Sequence, residues 1–125
     1  MKGTLYLIPT PLANHPLELS HPPHVRKTVH GIMHFAVEKL QQSVQFLKKI
    51  DHPEPEFKMG FYPLDKHVTP EQLTDIVHVL QKGHDVGVIS EAGCPGIADP
   101  GAELVWMCHG RGIAVEPLVG PSAIT

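Results

Sequence analysis

The run most able to do chemistry is Ser90-Glu91-Ala92-Gly93-Cys94-Pro95-Gly96-Ile97-Ala98-Asp99-Pro100-Gly101. Gly93, Gly96 and Gly101 let the backbone approach a ligand closely or take a positive φ. Pro95 and Pro100 stiffen the same run. A rigid, glycine-rich loop of this kind suits a small cofactor held by main-chain groups. It is longer than the ~2–6 residues that joining a strand to a helix requires. Phosphate cradling is a poor fit, because the chain has no Gly-x-Gly-x-x-Gly and no Gly-Lys-Ser or Gly-Lys-Thr. Asp99, ahead of Pro100, also reads as the N-cap of a following helix.

Other reactive side chains point to blander roles. His15, His21, His24, His30 and His34 crowd one stretch. Their spacing lacks the tight Cys or His pairs of a zinc site, so no metal is expected. His30 and His34 are expected on one face of an extended strand. Cys94 sits ahead of a helix start, where a thiol pKa can fall, so a covalent nucleophile stays open on the residues alone. Cys108 reads as core, and Trp106 as a packing residue on the same helix. Lys48, Lys49 and Lys58 read as a solvated face.

These residues need elements to position them. Thr4–Ile8, ended by Pro9, Gly31–Val37, a weaker Phe57–Tyr62, Val86–Ile89 and Ile113–Val115 are short apolar runs. Near-continuous apolar strands predict a parallel sheet covered on both faces. Between them, Leu40, Val44, Leu47 and Ile50 mark one face of a helix over residues 38–50. Thr69-Pro70-Glu71-Gln72 forms a capping box with Pro at the first helical position, and Gly83 stops that helix. Asp99-Pro100 opens another, ended by Gly110. Residues 11–24 are Pro-rich and read as loop. The expected fold is a doubly wound α/β domain with a mainly parallel sheet of about five strands.

Length and composition bound the rest. The chain's 125 residues make one domain, too short for two domains with a cleft between them. Hydrophobic residues at 42% and charged residues at 18% exclude a disordered chain. The ten Lys and Arg are dispersed and the net charge is −3, so composition announces no nucleic-acid patch. Two cysteines are too few for a disulfide scaffold, and the apolar run at Leu5–Ile8 is too short for a signal core or membrane span. A cytoplasmic location is the expectation, with no membrane partner.

Three segments together resemble the tetrapyrrole methylase superfamily. They are Leu5-Tyr6-Leu7-Ile8-Pro9-Thr10-Pro11-Leu12-Ala13-Asn14, the loop Ile89–Gly101 with Leu104-Val105, and Pro117-Leu118-Val119-Gly120-Pro121-Ser122-Ala123. The nearest branch contains the ribosomal-RNA small-subunit cytidine 2′-O-methyltransferases. The resemblance covers essentially the whole chain. It departs from the branch at Glu91, Cys94 and Ala98, where the family loop has Asp, Thr and Ser. It departs further after Glu38, where Lys39-Leu40-Gln41 replaces an Asp-Thr-Arg-like stretch.

The resemblance implies an S-adenosylmethionine-dependent methyltransferase of two α/β domains, with the cofactor folded between them. Residues 1–125 would be the N-terminal domain, and the C-terminal domain would be absent from this chain. Gly93, Cys94, Pro95 and Ile97 would touch the cofactor, largely through main chain, together with Ser122 and Ala123. Pro9, Thr10, Pro11 and Asn14 would border the substrate. Glu38 and Glu91, expected after the second and fourth strands, are the candidate bases for an oxygen nucleophile; Glu38 is also placed to favour a helix N-terminus. The acceptor implied is an rRNA ribose 2′-OH, or a tetrapyrrole-type small molecule in the wider superfamily. The chain alone is expected to be inactive and to bind cofactor weakly, and two copies could pair. The alternative is a non-catalytic α/β interaction or dimerisation module. Gly120-Pro121-Ser122-Ala123 reads as a helix start with two residues after it, which favours a piece of a longer enzyme.

Overall fold

The computed structural model describes residues 1–10, 23–91 and 99–118. In chain order the elements are β1 (Leu5–Thr10), α1 (Pro23–His30), β2 (His34–Val37), α2 (Leu40–Lys49), a 3-10 turn (Glu56–Lys58), β3 (Gly60–Pro63), α3 (Pro70–Gln81), β4 (Val86–Glu91), α4 (Asp99–Gly110) and β5 (Val115–Pro117). The five strands form one sheet in the order β3-β2-β4-β1-β5, and every pairing is parallel. The expected α/β doubly wound architecture is therefore present.

Alternation along the strands sends side chains into two cores. Leu5, Ala36, Val86 and Val88 pack under α3 and α4 with Leu73, Ile76, Val77, Leu80, Leu104 and Cys108. Ile8, Phe35, Val37 and Ile89 pack under α1 and α2 with Val25, Val29, Phe46 and Leu47. Both faces are covered, which explains why the strands read as unbroken apolar runs. Gly87 sits in β4 where a Cβ would stand 2.6 Å from Ile8 Cδ1 and 3.2 Å from Phe35 Cδ1. The second core thus closes over the space a side chain would have filled.

The capping box is formed. Thr69 Oγ1 accepts from the Gln72 N–H (3.2 Å), and Gln72 Oε1 accepts from the Thr69 N–H (2.9 Å). Gly83, after the helix, takes a φ of +103°, open to it because it has no Cβ.

Several expectations are corrected. β1 runs through Pro9 to Thr10. Leu5 and Leu7 bond toward β5, so alternation turns the Pro9 nitrogen to that side, next to Leu118, where the β1–β5 pairing has ended. The missing donor therefore limits β5 and leaves the β4 ladder intact. Gly31–Met33 form a turn rather than strand, because a helix not foreseen in the sequence, α1, ends at His30. Its signal was Val25 and Val29, four apart and both buried, behind a Pro at the first position. β3 is confined to Gly60–Pro63, with a 3-10 turn replacing its expected first residues. β5 lies two residues later than expected, at Val115–Pro117. On α2 the buried face is Ser43, Phe46, Leu47 and the following Ile50, while Leu40 is 52% exposed at the first turn. Trp106 is 78% exposed, not packed. Leu104 and Cys108 turn α4 inward, and Trp106 stands about 200° from Leu104 around the helix.

Candidate functional site

The strand order turns the sequence motifs into one edge. From β1 the chain crosses to β2 on one side, and from β4 it crosses to β5 on the other. Connections diverge between neighbouring strands β1 and β4, which makes their carboxyl ends the topological switch point where open α/β sheets bind ligands. At that point Pro9 pairs with Ser90 and Thr10 with Glu91. On the far side of β1, β5 ends at Pro117, and the Leu118 N–H donates to the Leu7 carbonyl (2.9 Å). The three segments that carry the family resemblance therefore follow three consecutive strands, β4, β1 and β5.

The candidate acids separate by position. Glu91 is the last residue of β4, at the switch point itself. Glu38 is exposed, one residue past β2, on the next strand over. It precedes Lys39, the N-cap of α2, whose first turn has no acidic residue. Pro9 and Thr10 lie at the end of β1, both partly buried. Pro11, Asn14, Gly93, Cys94, Pro95, Ile97, Ser122 and Ala123 lie outside the described residues.

Two histidines have structural work. His30 Nε2 meets the Ile50 carbonyl at 2.6 Å, and His52 Nε2 meets the Ile32 carbonyl at 2.9 Å. Each ring thus satisfies a carbonyl just past the other's helix, α2 and α1 respectively, and the two rings meet edge to face at 5.9 Å. The Glu54 N–H donates to His52 Nδ1 (3.1 Å), so Nε2 carries the proton on His52. The expected shared strand face for His30 and His34 is not formed, since His30 ends α1 and His34 begins β2.

His34 belongs to a second cluster at the amino ends of the strands. Its Nδ1 lies 3.0 Å from Tyr62 Oη, and its ring lies 4.9 Å from that of His84. Burial, and then the neighbouring His84, hold its pKa below the ordinary histidine value. Burial, with Asp75 as a lesser cause, raises that of Tyr62. Sequence patterning missed this cluster because its members come from β2, β3 and the turn before β4. Among the described residues, no three His, Cys, Asp or Glu side chains converge on a metal position.

Cys108 is core, as expected. It is fully buried, and desolvation pushes its thiol to about 11. Lys48 and Lys58 are exposed, with long pairs to Glu56 (3.8 Å) and Glu54 (3.7 Å) that contribute little. A groove of about 470 Å³ beside them, lined by Val44, Leu47, His52, Met59 and Phe61, flanks the start of β3. It lies at the opposite end of the sheet from the motif-bearing edge. No helix among the described residues is long and apolar enough to cross a membrane.

The fold defines a doubly wound α/β domain whose switch point lies where β4 and β1 end, beside β5. Comparison with known proteins narrows the class. No family model matches the chain. It is 30% identical over 122 residues to ribosomal RNA small subunit methyltransferase I of Synechocystis sp., covering 98% of this chain and 41% of that protein. It is 32% identical over 120 residues to the protein of that name from Hydrogenobaculum sp., covering 96% and 49%. For that of Thermotoga maritima the identity is 29% over 123 residues, covering 98% and 52%. The resemblance to this branch of the tetrapyrrole methylases therefore holds along almost the whole chain, which spans about half the length of the relatives it matches.

Proposed function

We propose that this chain is the N-terminal domain of an S-adenosylmethionine-dependent methyltransferase acting on small-subunit ribosomal RNA, with a ribose 2′-OH as acceptor. The observation that supports the reading is that β4, β1 and β5, the strands on which the three family-like segments are built, are neighbours in the sheet, with β4 and β1 ending at the switch point. The relatives' names supply the reaction and the RNA.

The described residues at that edge fit such a cofactor. Glu91 ends β4 and Glu38 follows the adjacent β2, and the sequence lacks a phosphate loop. A cofactor without phosphates that need cradling suits this better than a dinucleotide does. When bound, S-adenosylmethionine supplies an activated methyl on a sulfonium. The chain's own part is position: an aligned acceptor ~3–3.5 Å from the methyl gains most of the available rate. Main-chain groups of Gly93, Cys94, Pro95 and Ile97, with Ser122 and Ala123, would hold the cofactor. Pro9, Thr10, Pro11 and Asn14 would border the acceptor. Glu91 is the better-placed base for the hydroxyl proton, because it ends β4 at the switch point and Glu38 stands one strand away. A cytoplasmic location accords with an RNA substrate.

The test is a titration of the isotope-labelled chain with S-adenosylmethionine, followed by NMR. Amide shifts should cluster at residues 8–10, 89–98 and 117–123, with weak affinity if the chain supplies only one side of a two-domain cleft. Shifts confined to the groove near Met59 and Phe61 would overturn the reading.

A further inference from the structure

The two layers of helices carry opposite charge. On one face of the sheet, α1 and α2 hold Arg26, Lys27, Lys48 and Lys49 and no acidic residue. On the other, α3 and α4 hold Glu71, Asp75, Asp99 and Glu103 and no Lys or Arg. The cations look dispersed along the chain, yet the fold sorts those of the helices onto one face. The acids near α2 lie off the helix. Glu38 precedes it, and Asp51, Glu54 and Glu56 follow it at the amino ends of the strands, where Lys48 and Lys58 answer Glu56 and Glu54.

Arg26 is the unusual member of the basic layer. It is partly buried on α1, and its Nε is buried with no hydrogen-bond partner. Among the described residues no carboxylate pairs with it. A donor withdrawn from water and left unbonded is costly, and such groups call for an explanation. α1 ends at His30, just before β2 begins, so it runs back along the sheet and its Pro23 end lies toward the carboxyl ends of the strands. Side chains on a helix tilt toward its N-terminus, which leans Arg26 toward the switch point. Ile8 of β1 faces the same core as α1, and alternation puts Thr10, at the switch point, on that face too.

We propose that the α1 side of the sheet docks the acceptor RNA, and that Arg26 holds a backbone phosphate near the ribose presented at the switch point. The proposal rests on the RNA reading above. A guanidinium offers a planar fork of N–H donors that matches two phosphate oxygens, and Nε–H is one arm of that fork. A phosphodiester therefore satisfies the donor that the fold leaves unbonded. Lys27, exposed on the same helix, adds a second positive charge, while the acids of α3 and α4 disfavour RNA on the opposite face. Phosphate contacts set register and carry no sequence information, so Arg26 is a positioning residue.

The test is fluorescence anisotropy of a labelled, unstructured RNA of about 12 nucleotides, titrated with the 125-residue chain at several salt concentrations. Arg26→Gln should weaken binding about three- to tenfold and lower the salt slope by about 0.7, the value for one phosphate on a single strand. Arg26→Lys keeps the charge and loses the fork, so it should weaken binding and leave the slope unchanged. Native circular dichroism of both variants separates a lost contact from a lost fold. Lys82→Gln, the same charge change at the end of α3, should alter neither affinity nor slope. By NMR, the Arg26 Nε–H signal should shift when the RNA is added. No RNA binding, binding that Arg26→Gln leaves unchanged, or an equal loss from Lys82→Gln overturns the proposal. A chain that fails to bind S-adenosylmethionine yet binds RNA through Arg26 would sink the methyltransferase reading and leave this site standing.

Discussion

Thr10 and Glu91 form the last rung of the β1–β4 ladder, side by side where the crossovers diverge. If Glu91 serves the acceptor hydroxyl, it has no part in holding the sulfonium. An anion fixed beside that sulfur would stabilise the charged ground state over the transition state. Glu91→Gln is therefore expected to keep the ratio of S-adenosylmethionine to S-adenosylhomocysteine affinity within about twofold. Paired titrations of the two ligands read the ratio directly. A selective tenfold loss of the sulfonium ligand would put the carboxylate on sulfur and remove it as the base.

His34 makes stability depend on pH. Its folded pKa lies below the ordinary value near 6.5, so between the two the unfolded chain binds more protons. Its contribution is complete above about pH 6.5 and is lost as pH falls through the lowered folded value. Urea midpoints should fall from pH 7.5 to 5, and His34→Gln should flatten part of that slope. Removing the second cause with His84→Asn should move the His34 titration, followed by NMR, back toward the ordinary value.

The His30–His52 brace should behave as a unit. Each ring holds a carbonyl at the end of the other's helix and touches the other ring. His30→Ala and His52→Ala should each cost about 1–2 kcal/mol, since each leaves a partly buried carbonyl unpaired. In the double variant the losses should fall short of their sum by about 0.5 kcal/mol or more. Strict additivity in denaturant unfolding would show two separate bonds with no coupling through the rings.

The elements visible in the sequence were those whose signals are local. Thr69, Gln72 and Gly83 announced α3 because a cap is written within four residues. Val86–Ile89 announced β4 because both its faces are buried. The α1 helix was obscured by prolines at 22 and 23 and by its histidines, although Val25 and Val29 carried its face. Trp106 misled because an aromatic on an amphipathic helix is normally inward, and only the positions of Leu104 and Cys108 turn it out. The site was legible as motifs and illegible as a place. Nothing in the order β1, β4, β5 along the chain states that these strands are neighbours; the order β4-β1-β5 in the sheet does.

Cys108 should be inert in the folded chain. With a thiol pKa of about 11 and no exposure, its thiolate fraction at pH 8 is on the order of 0.1%. In a Cys94→Ser chain, labelling by a disulfide reagent should wait for unfolding. Fast labelling in native buffer would mean that α4 lifts from the sheet locally.

Two glycines should differ in what alanine costs. At Gly3 an added methyl would overlap the backbone carbonyl of His84, and the Gly3 N–H is already committed to the Leu80 carbonyl (2.7 Å). Neither backbone can give way without breaking the bond that ties the chain's start to the end of α3. At Gly87 the nearest obstacle is the tip of the Ile8 side chain, which can change rotamer inside its core. Gly3→Ala should therefore cost about 3 kcal/mol and Gly87→Ala about 1–2 kcal/mol, both as overpacking. The discriminating variant is Ile8→Val, which removes the Cδ1 that a Gly87 methyl would meet. Added to Gly87→Ala, it should recover part of that loss in denaturant unfolding, and added to Gly3→Ala it should recover none.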